Sequence, residues 1–246
     1  MIIKLLIFTA LVSTQQVCLA ARLHVAVASN FVPTMNKLVP MFKVKFGHEL
    51  IISSGSTGQL YAQIKQGAPY DIYLAADTER PQLLVDEGLA RGFSIYAIGQ
   101  LALVANHKDC HAVMLGDDLN YLAIANPDLA PYGKAAKQYL ENKQLWHQVS
   151  DRLVMGENVS HAMHMVASKN ATAGLVAQSL LVHYNLLEDQ CAYKVKNQYH
   201  EPIEQAMVLL NGSSKSDLMN KFIAFIQSKQ VINVLQTNGY LATVNK

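Results

Sequence analysis

The sequence SSGSTGQLYAQIKQGAPYDIYLAAD, residues 53–77, contains the pattern that decides the fold. A loop of glycine and hydroxyl residues, 55–58, precedes a predicted helix whose apolar side is formed by Leu60 and Ile64. A predicted strand over residues 72–76 follows this helix. Because the first N–H groups of a helix lack partners and lie at the positive end of its dipole, the loop is typical of an anion site. Helix capping alone is the alternative interpretation of its hydroxyl residues.

Three further junctions between a predicted strand and a predicted helix have similar polar loops. Strands that alternate with helices predict parallel sheets, which bind ligands outside the carboxyl ends of their strands. The four loops fall into two α/β units, so we expect each unit to present two polar helix starts. The further junctions are residues 29–30, 130–133 and 156–160, after predicted strands at residues 23–28, 121–125 and 153–155.

The order of the predicted elements indicates two α/β lobes and no internal repeat. We expect lobe I to comprise residues 21–103 and 207–246, and lobe II to comprise residues 104–206. Predicted strands near residues 100–106 and 205–210 are the expected crossings between the lobes. Two crossings would return the C-terminal helices to the first lobe.

The composition suits a protein with one large or two small hydrophobic cores. The chain has 246 residues, of which 51% are hydrophobic and 15% are charged. The net charge is +2, and no basic run alternates with aromatic residues, so the sequence does not indicate a nucleic-acid partner. No nucleophile elbow, phosphate-binding loop, dinucleotide fingerprint or zinc pattern is present in the sequence, so it predicts no catalytic residues.

Residues 1–20 have the pattern of a secretory signal peptide. Lys4 lies near the start, an apolar run covers residues 5–12, and Ala20 provides a small residue for cleavage. A membrane anchor is the less favoured alternative, because the apolar run is shorter than the ~20 residues that span a bilayer. A lipid anchor on Cys18 is also disfavoured by the residues before it. The sequence therefore predicts an exported, soluble product.

Removal of the signal peptide would leave two cysteines, Cys110 and Cys191. In an oxidising compartment this number makes a disulfide plausible. Two free buried thiols are the alternative, since the sequence does not give the distance between the two residues.

Two pairs of the nine histidines are close enough in sequence to be considered as metal ligands. His161 and His164 are three residues apart on a predicted helix, but no carboxylate or cysteine lies at matching spacing, so we predict exposed surface residues. His107 and His111 flank Cys110 in a segment that is predicted to be a turn. The sequence therefore predicts no metal ion bound by protein side chains.

Seven short motifs occur in order along nearly the whole mature chain. They lie at residues 28–30, 55–58, 67–71, 75–77, 125–127, 130–136 and 156–158. Together they resemble the periplasmic molybdate-binding proteins of ABC transporters, a family of type II periplasmic solute-binding proteins.

The resemblance implies an α/β, two-lobed periplasmic binding protein fold, with two crossing segments and a ligand cleft between the lobes. It implies that a tetrahedral oxyanion, molybdate and also tungstate, is held by neutral hydrogen bonds without a charged counterion. It further implies a periplasmic protein that delivers the anion to an ABC permease, and we expect a monomer. No enzymatic activity and no cofactor are expected.

The resemblance also implies which residues hold the oxyanion. Ser29 and Thr57 should donate from hydroxyl and backbone N–H groups, and Tyr132 and Val159 should donate from backbone N–H groups. The family usually has Ser at the position of Thr57, and Thr keeps the hydroxyl. The expected loop-supporting residues are Asn30, Ser56 and Asn158.

One position departs from the family pattern. The best-studied members donate a Tyr hydroxyl from the strand end where this sequence has Ala177. A neighbouring side chain or the hydroxyl of Tyr132 is the expected replacement.

Three other functions remain open at the level of sequence. The first keeps the class and changes the ligand to sulfate, phosphate or another small oxyanion. The second is an exported α/β hydrolase or transferase, which would need a nucleophile beside a base. The third is a receptor domain that binds an anion only to signal.

Overall fold

The computed structural model describes residues 21–116, 118–184 and 186–241. The predicted signal peptide, residues 1–20, lies outside the described residues. Among the helices that are described, none combines the length and the apolar character needed to cross a membrane.

The strands are β1 (Arg22–Ala28), β2 (Glu49–Gly55), β3 (Ile72–Leu74), β4 (Ala90–Gly99), β5 (Leu101–Ala105), β6 (Leu122–Ala125), β7 (Leu153–Gly156), β8 (Ala173–Ala177), β9 (Cys191–Lys194) and β10 (Ile203–Leu210).

Helices alternate with most of these strands, as the sequence pattern predicts. A short 3-10 turn, Ser29–Phe31, leads from β1 into the first helix. The helices are α1 (Val32–Phe46), α2 (Thr57–Lys65), α3 (Glu79–Asp86), α4 (Cys110–Leu115), α5 (Pro131–Asn142), α6 (Trp146–Val149), α7 (Val159–Ala167), α8 (Gln178–Leu181), α9 (Ser216–Ile226) and α10 (Lys229–Thr237).

The strands form two mixed sheets of five strands each. The first sheet has the order β2-β1-β3-β10-β4, and the second has the order β7-β6-β8-β5-β9. β1, β2 and β3 run parallel, and β10 is antiparallel to β3 and β4. β6, β7 and β8 also run parallel, and β5 is antiparallel to β8 and β9. Each sheet therefore places the carboxyl ends of three parallel strands at one edge, where the polar loops follow. We call the sheets with their helices the first and second lobes.

The chain passes between the sheets at two points. β4 ends at Gly99 in the first sheet and β5 begins at Leu101 in the second, so Gln100 is the first crossing. The second crossing lies between β9 and β10, at residues 195–202. The prediction that strands near residues 100–106 and 205–210 cross between the lobes was wrong, because each of those strands pairs within a single sheet. The predicted lobe boundaries, at residues 103 and 206, lie a few residues beyond these changes of sheet.

Each lobe has its own buried apolar core. In the first lobe, α1 and the C-terminal helices cover one face of the sheet, where the ring of Phe42 lies 5.4 Å from the ring of Phe225, centroid to centroid. A smaller cluster around Leu60 and Tyr73 covers the other face. The core of the second lobe also includes Ala28 and Ala76, at the ends of first-lobe strands. The lobes therefore meet where those strands end.

Cys110 and Cys191 form a disulfide, with 5.6 Å between their Cα atoms. The bond joins the first residue of α4 to the first residue of β9 within the second lobe. The prediction of a turn around Cys110 was wrong, because Asp109 accepts hydrogen bonds from the N–H groups of His111 and Ala112 and so starts a helix. His161 and His164 lie on the exposed face of α7, as predicted.

Candidate functional site

A small cavity lies between the two lobes, where four helical segments begin. Its volume is about 10 Å³, close to the least that holds one water molecule. Among the described residues that line it, none carries a charge. The lining includes all four residues expected to hold an oxyanion and two of the expected supporting residues: Ser29, Asn30, Ser56, Thr57, Tyr132 and Val159.

Backbone N–H groups reach this cavity because of where each helix begins. Thr57 and Val159 are the first residues of α2 and α7, so their N–H groups have no partner inside the helix. Pro131 is the first residue of α5 and has no N–H, so the first N–H of that helix belongs to Tyr132. Ser29 begins the 3-10 turn after β1. The arrangement surrounds the cavity with donors from both lobes.

The side chain of Thr57 is held in place by the first sheet. Its Oγ1 accepts a hydrogen bond of 3.0 Å from the N–H of Ala76, and its carbonyl oxygen accepts one of 2.7 Å from the Tyr73 hydroxyl. A hydroxyl that accepts from the backbone still has its proton to donate. Thr57 is buried and lines the cavity, so this proton is available to a group bound there.

Ser56 and Asn158 act as helix caps. Ser56 Oγ accepts from the N–H of Gln59 at 3.2 Å, and the Gln59 side chain accepts from the N–H of Ser56 at 3.1 Å, which completes a capping box. Asn158 Oδ1 accepts from the N–H of His161 at 3.0 Å. These contacts fix the starts of α2 and α7, whose first residues, Thr57 and Val159, line the cavity.

Asn30 was expected to support its loop, but its side chain and carbonyl form hydrogen bonds with residues far away in sequence. Its Nδ2 donates to Gln205 Oε1 at 3.0 Å and to the Tyr240 hydroxyl at 3.2 Å. Its carbonyl oxygen accepts from the Ser179 and Tyr240 hydroxyls. Since these bonds occupy its side chain and carbonyl, its N–H, second in the 3-10 turn, is the group that can face an anion. Its place beside Ser29 at a helix start is the sequence feature that could have indicated this.

Further hydrogen bonds join the lobes around the cavity, in addition to the one from Ser179 to Asn30. The N–H of Gly58 donates to the Leu129 carbonyl at 2.8 Å, and Ser160 Oγ donates to the Ser29 carbonyl at 3.1 Å. Arg80 Nη2 donates to the Asp128 carbonyl at 2.9 Å. These bonds explain why Ser29, 6% exposed, is buried in this arrangement. Separation of the lobes would break these bonds and widen the way into the cavity.

Asp77 and Arg80, next to a cavity-lining residue, neutralise each other's charge. Asp77 follows the lining residue Ala76 and forms an ion pair with Arg80. Burial raises the pKa of Asp77 above its ordinary value, and the guanidinium of Arg80 opposes this rise. Because the Arg80 charge is paired with Asp77, hydrogen bonds and helix dipoles remain the main attraction for an anion.

Comparison with known proteins places the chain in a family. A family model described as "Bacterial extracellular solute-binding protein" matches residues 23–241. The chain belongs to this family. The solute-binding protein is 34% identical over 227 residues to the molybdate-binding protein ModA of Azotobacter vinelandii, with 90% of each chain covered. It is 32% identical over 227 residues to ModA of Rhodobacter capsulatus, covering 90% of this chain and 89% of that protein.

Solved structures agree with this assignment. The Azotobacter vinelandii periplasmic molybdate-binding protein superposes with a TM-score of 0.85 at 30% identity, covering 90% of this chain and 99% of that chain. The sulfate-binding protein SubI of Mycobacterium tuberculosis has a TM-score of 0.74 at 12% identity, covering 92% of this chain and 88% of that chain, and so shares the fold. The solute-binding protein therefore has the two-lobed periplasmic binding protein fold predicted from its sequence.

That a neighbouring side chain or the Tyr132 hydroxyl replaces the family Tyr stays a prediction. Ala177 is fully buried, pairs with Leu101 in the second sheet, and does not line the cavity. The Tyr132 hydroxyl accepts a hydrogen bond of 3.2 Å from Gln205 Nε2. Burial raises the pKa of this phenol well above its ordinary value, so it stays protonated. The hydroxyl lies beside Gln205, near the crossing, and the Asn30 N–H is a further candidate donor.

Substitution of Gly58 by alanine should hinder closure of the solute-binding protein. A Cβ built on Gly58 would lie 3.0 Å from the carbonyl oxygen and 3.2 Å from the Cα of Leu129 in the opposite lobe. Overpacking of this kind costs about 1–3 kcal/mol, so we expect at least about fivefold weaker binding of molybdate, the ligand expected from the sequence. Calorimetric titration measures the effect.

The matched control is Gly212→Ala. A Cβ built on Gly212 has no heavy atom within 4 Å, and Gly212 is not among the glycines with positive φ. We expect this variant to bind like the wild type. Equal affinities for the Gly58→Ala and Gly212→Ala variants would show that close approach at Gly58 is not needed for binding.

Proposed function

We propose that this protein is an exported binding protein that captures molybdate between its lobes and delivers it to an ABC permease. One observation carries the proposal: an uncharged cavity lined by Ser29, Thr57, Tyr132 and Val159, each at a helix start and drawn from both lobes. The molybdate-binding relatives at 32% and 34% identity support this choice of ligand.

Neutral donors can supply the affinity that such a protein needs. The dipole at each helix start stabilises a bound anion by about 0.3–1 kcal/mol, and by up to about 2 kcal/mol when the site is partly buried. Hydrogen bonds to a charged group add about 1.5–3 kcal/mol each, net of water. Six or seven such donors are consistent with micromolar or tighter binding, about −8 kcal/mol, after the costs of lobe closure. The absence of a charge among the described lining residues would also make release to a permease easier.

Tungstate is the expected second ligand, because it has the same charge and tetrahedral shape as molybdate. The cavity of about 10 Å³ has room for one water molecule, so the lobes must stand further apart around a bound oxyanion than they do in this structure. Sulfate and phosphate are smaller than molybdate, so discrimination would depend on how closely the lobes fit the anion. Separation of the two lobes would admit the anion, and closure would bring the donors of both lobes onto it. The bound anion is the cargo, and no resident cofactor is proposed.

The proposed location is the periplasm, after cleavage of residues 1–20. The disulfide between Cys110 and Cys191 supports this location, because such bonds persist in oxidising compartments. We further propose that the protein acts as a monomer, with a permease as its partner. A catalytic function receives no support from the site, since no described lining residue is a His, Asp, Glu or Lys that could act as a base for the hydroxyls of Ser29 and Thr57.

Calorimetric titration with four anions tests the proposed ligand. We expect saturable heat with molybdate and tungstate at micromolar or tighter dissociation constants, and at least about tenfold weaker binding of sulfate and phosphate. Sodium chloride at matched ionic strength is the control for dilution and screening. Clear heat with sulfate and none with molybdate would show that the ligand is an oxyanion other than molybdate.

A further inference from the structure

A buried polar cluster lies beside the cavity, at the crossing between the lobes. Its centre is Gln205 on β10, which is 0% exposed. Gln205 Oε1 accepts from Asn30 Nδ2 and from the Tyr96 hydroxyl, each at 3.0 Å. Gln205 Nε2 donates to the Tyr132 hydroxyl at 3.2 Å. A buried amide is costly unless its groups are paired, and this one pairs both its oxygen and its nitrogen.

This amide connects cavity-lining residues of the two lobes. Asn30 lines the cavity from the 3-10 turn of the first lobe, and Tyr132 lines it from α5 of the second. The sequence separations are 175 residues from Gln205 to Asn30 and 73 residues from Gln205 to Tyr132. Gln205 therefore touches the side chains of residues whose backbone N–H groups face the proposed anion site.

The Tyr132 hydroxyl also packs closely against the backbone of the first lobe at Gly99. A Cβ built on Gly99 would overlap this hydroxyl and would lie 2.7 Å from Gln205 Nε2. Gly99 is the last residue of β4, directly before the first crossing at Gln100. Gln205 lies on the strand that begins after the second crossing. The hydroxyl is thus held between the chain segments adjoining both crossings.

The contacts of the Tyr132 hydroxyl with Gly99 and Gln205 can affect binding because the Tyr132 ring is rigid. Its hydroxyl and its backbone N–H are parts of one residue at the start of α5. Fixing the hydroxyl against the first lobe fixes the first turn of a second-lobe helix relative to the donors at Ser29 and Thr57. Binding sites need their donors held to about 0.5 Å by supporting contacts of this kind.

We infer that Gln205 is a positioning residue for oxyanion binding, which holds the Tyr132 hydroxyl across the lobes and so places the Tyr132 N–H in the closed cavity. This inference rests on the proposed function, because it concerns the same site. It adds a residue that does not line the cavity, and it gives the Tyr132 side chain a role separate from that of its N–H.

Two substitutions test the inference by calorimetric titration with molybdate. Tyr132→Phe removes the hydroxyl and keeps the N–H, and Gln205→Leu removes the amide. We expect each to weaken binding by about fivefold to tenfold. Both remove the hydrogen bond between Gln205 and Tyr132, and Gln205→Leu also removes the bonds from Asn30 and Tyr96. The double variant should therefore lose clearly less affinity than the sum of the two single losses. A purely structural role would not produce this non-additivity in ligand affinity.

Tyr139→Phe is the matched control. Tyr139 lies on the same helix, is also buried, and its hydroxyl is 2.9 Å from the hydroxyl of Tyr193, away from the cavity. We expect wild-type affinity within about twofold. If Gln205→Leu does not fold, as judged by circular dichroism, the comparison of Tyr132→Phe with Tyr139→Phe decides the result.

Wild-type affinity in Tyr132→Phe, or additive losses in the double variant, would overturn the inference. Failure of the proposed ligand is recognised separately, because the wild-type protein would then not bind molybdate. In that case the variants are titrated with whichever of tungstate, sulfate or phosphate the wild type binds, and the same comparison applies. If the wild type binds none of the four anions, both the proposed function and the inference are overturned.

Discussion

Replacement of both Ser29 and Thr57 by alanine should weaken molybdate binding by about a hundredfold or more. Each substitution removes one hydroxyl from the lining of the cavity. A hydrogen bond to a charged group contributes about 1.5–3 kcal/mol, so two of them contribute at least about 3 kcal/mol. A loss of about 2.7 kcal/mol already corresponds to a hundredfold change in dissociation constant. Calorimetric titration of the double variant measures this change.

Two control variants separate lost donors from other effects. Thr57→Ser keeps the hydroxyl, so its affinity should stay within about threefold of wild type. Ser168→Ala removes an exposed hydroxyl that bonds only locally, to the Met165 carbonyl, and should have no effect. Thr57 Oγ1 also accepts from the Ala76 N–H, so urea unfolding of the ligand-free double variant is needed to confirm that it is folded. Unchanged affinity in the double variant would show that the anion site lies elsewhere.

Replacement of Cys110 and Cys191 by serine should lower the free energy of unfolding by about 2–4 kcal/mol. The disulfide joins residues 81 apart in sequence and encloses most of the second lobe. Without the bond, the unfolded chain gains the entropy of a long open loop, while the folded lobe keeps its apolar core. Urea unfolding of the wild-type and double-serine proteins measures the difference.

Reduction of the wild type provides the control for this second prediction. A reductant should lower the unfolding midpoint of the wild type to that of the double-serine variant and leave the variant unchanged. Molybdate affinity should stay within about twofold of wild type, since neither cysteine lines the cavity. Equal midpoints without reductant, or two reactive thiols in the denatured wild type, would contradict the prediction.

Local structure was predictable where neighbouring residues decide it. The strand at residues 173–177 and the helix after the loop at 55–58 are present in the structure at the expected places. Both follow from short-range patterns, a buried apolar run in one case and a helix start with a capping box in the other. The helix at Cys110 could also have been predicted from its preceding cap, Asp109.

The strand β4 was not predictable in the same way. The sequence pattern predicts no strand between Gly88 and Gln100, yet β4 occupies residues Ala90–Gly99. It lies at the edge of the first sheet and pairs with β10 through two shifts in register, so buried and exposed residues do not alternate along it. A period-2 pattern is the main sequence evidence for a strand, and it is lost here.

The sequence by itself determined that four polar loops begin helical segments, and the family resemblance indicated which residues those loops contribute. An unpaired N–H at a helix start depends only on the residues beside it, as with Pro131 before Tyr132. Tertiary structure alone decided that the four loops meet at one cavity without charged lining residues among those described. It also decided that Gln205 Nε2 donates a hydrogen bond to the Tyr132 hydroxyl. It also decided that Cys110 and Cys191 are bonded. Such contacts join residues many positions apart in sequence, so they depend on how the two sheets and their helices pack, which no local pattern encodes.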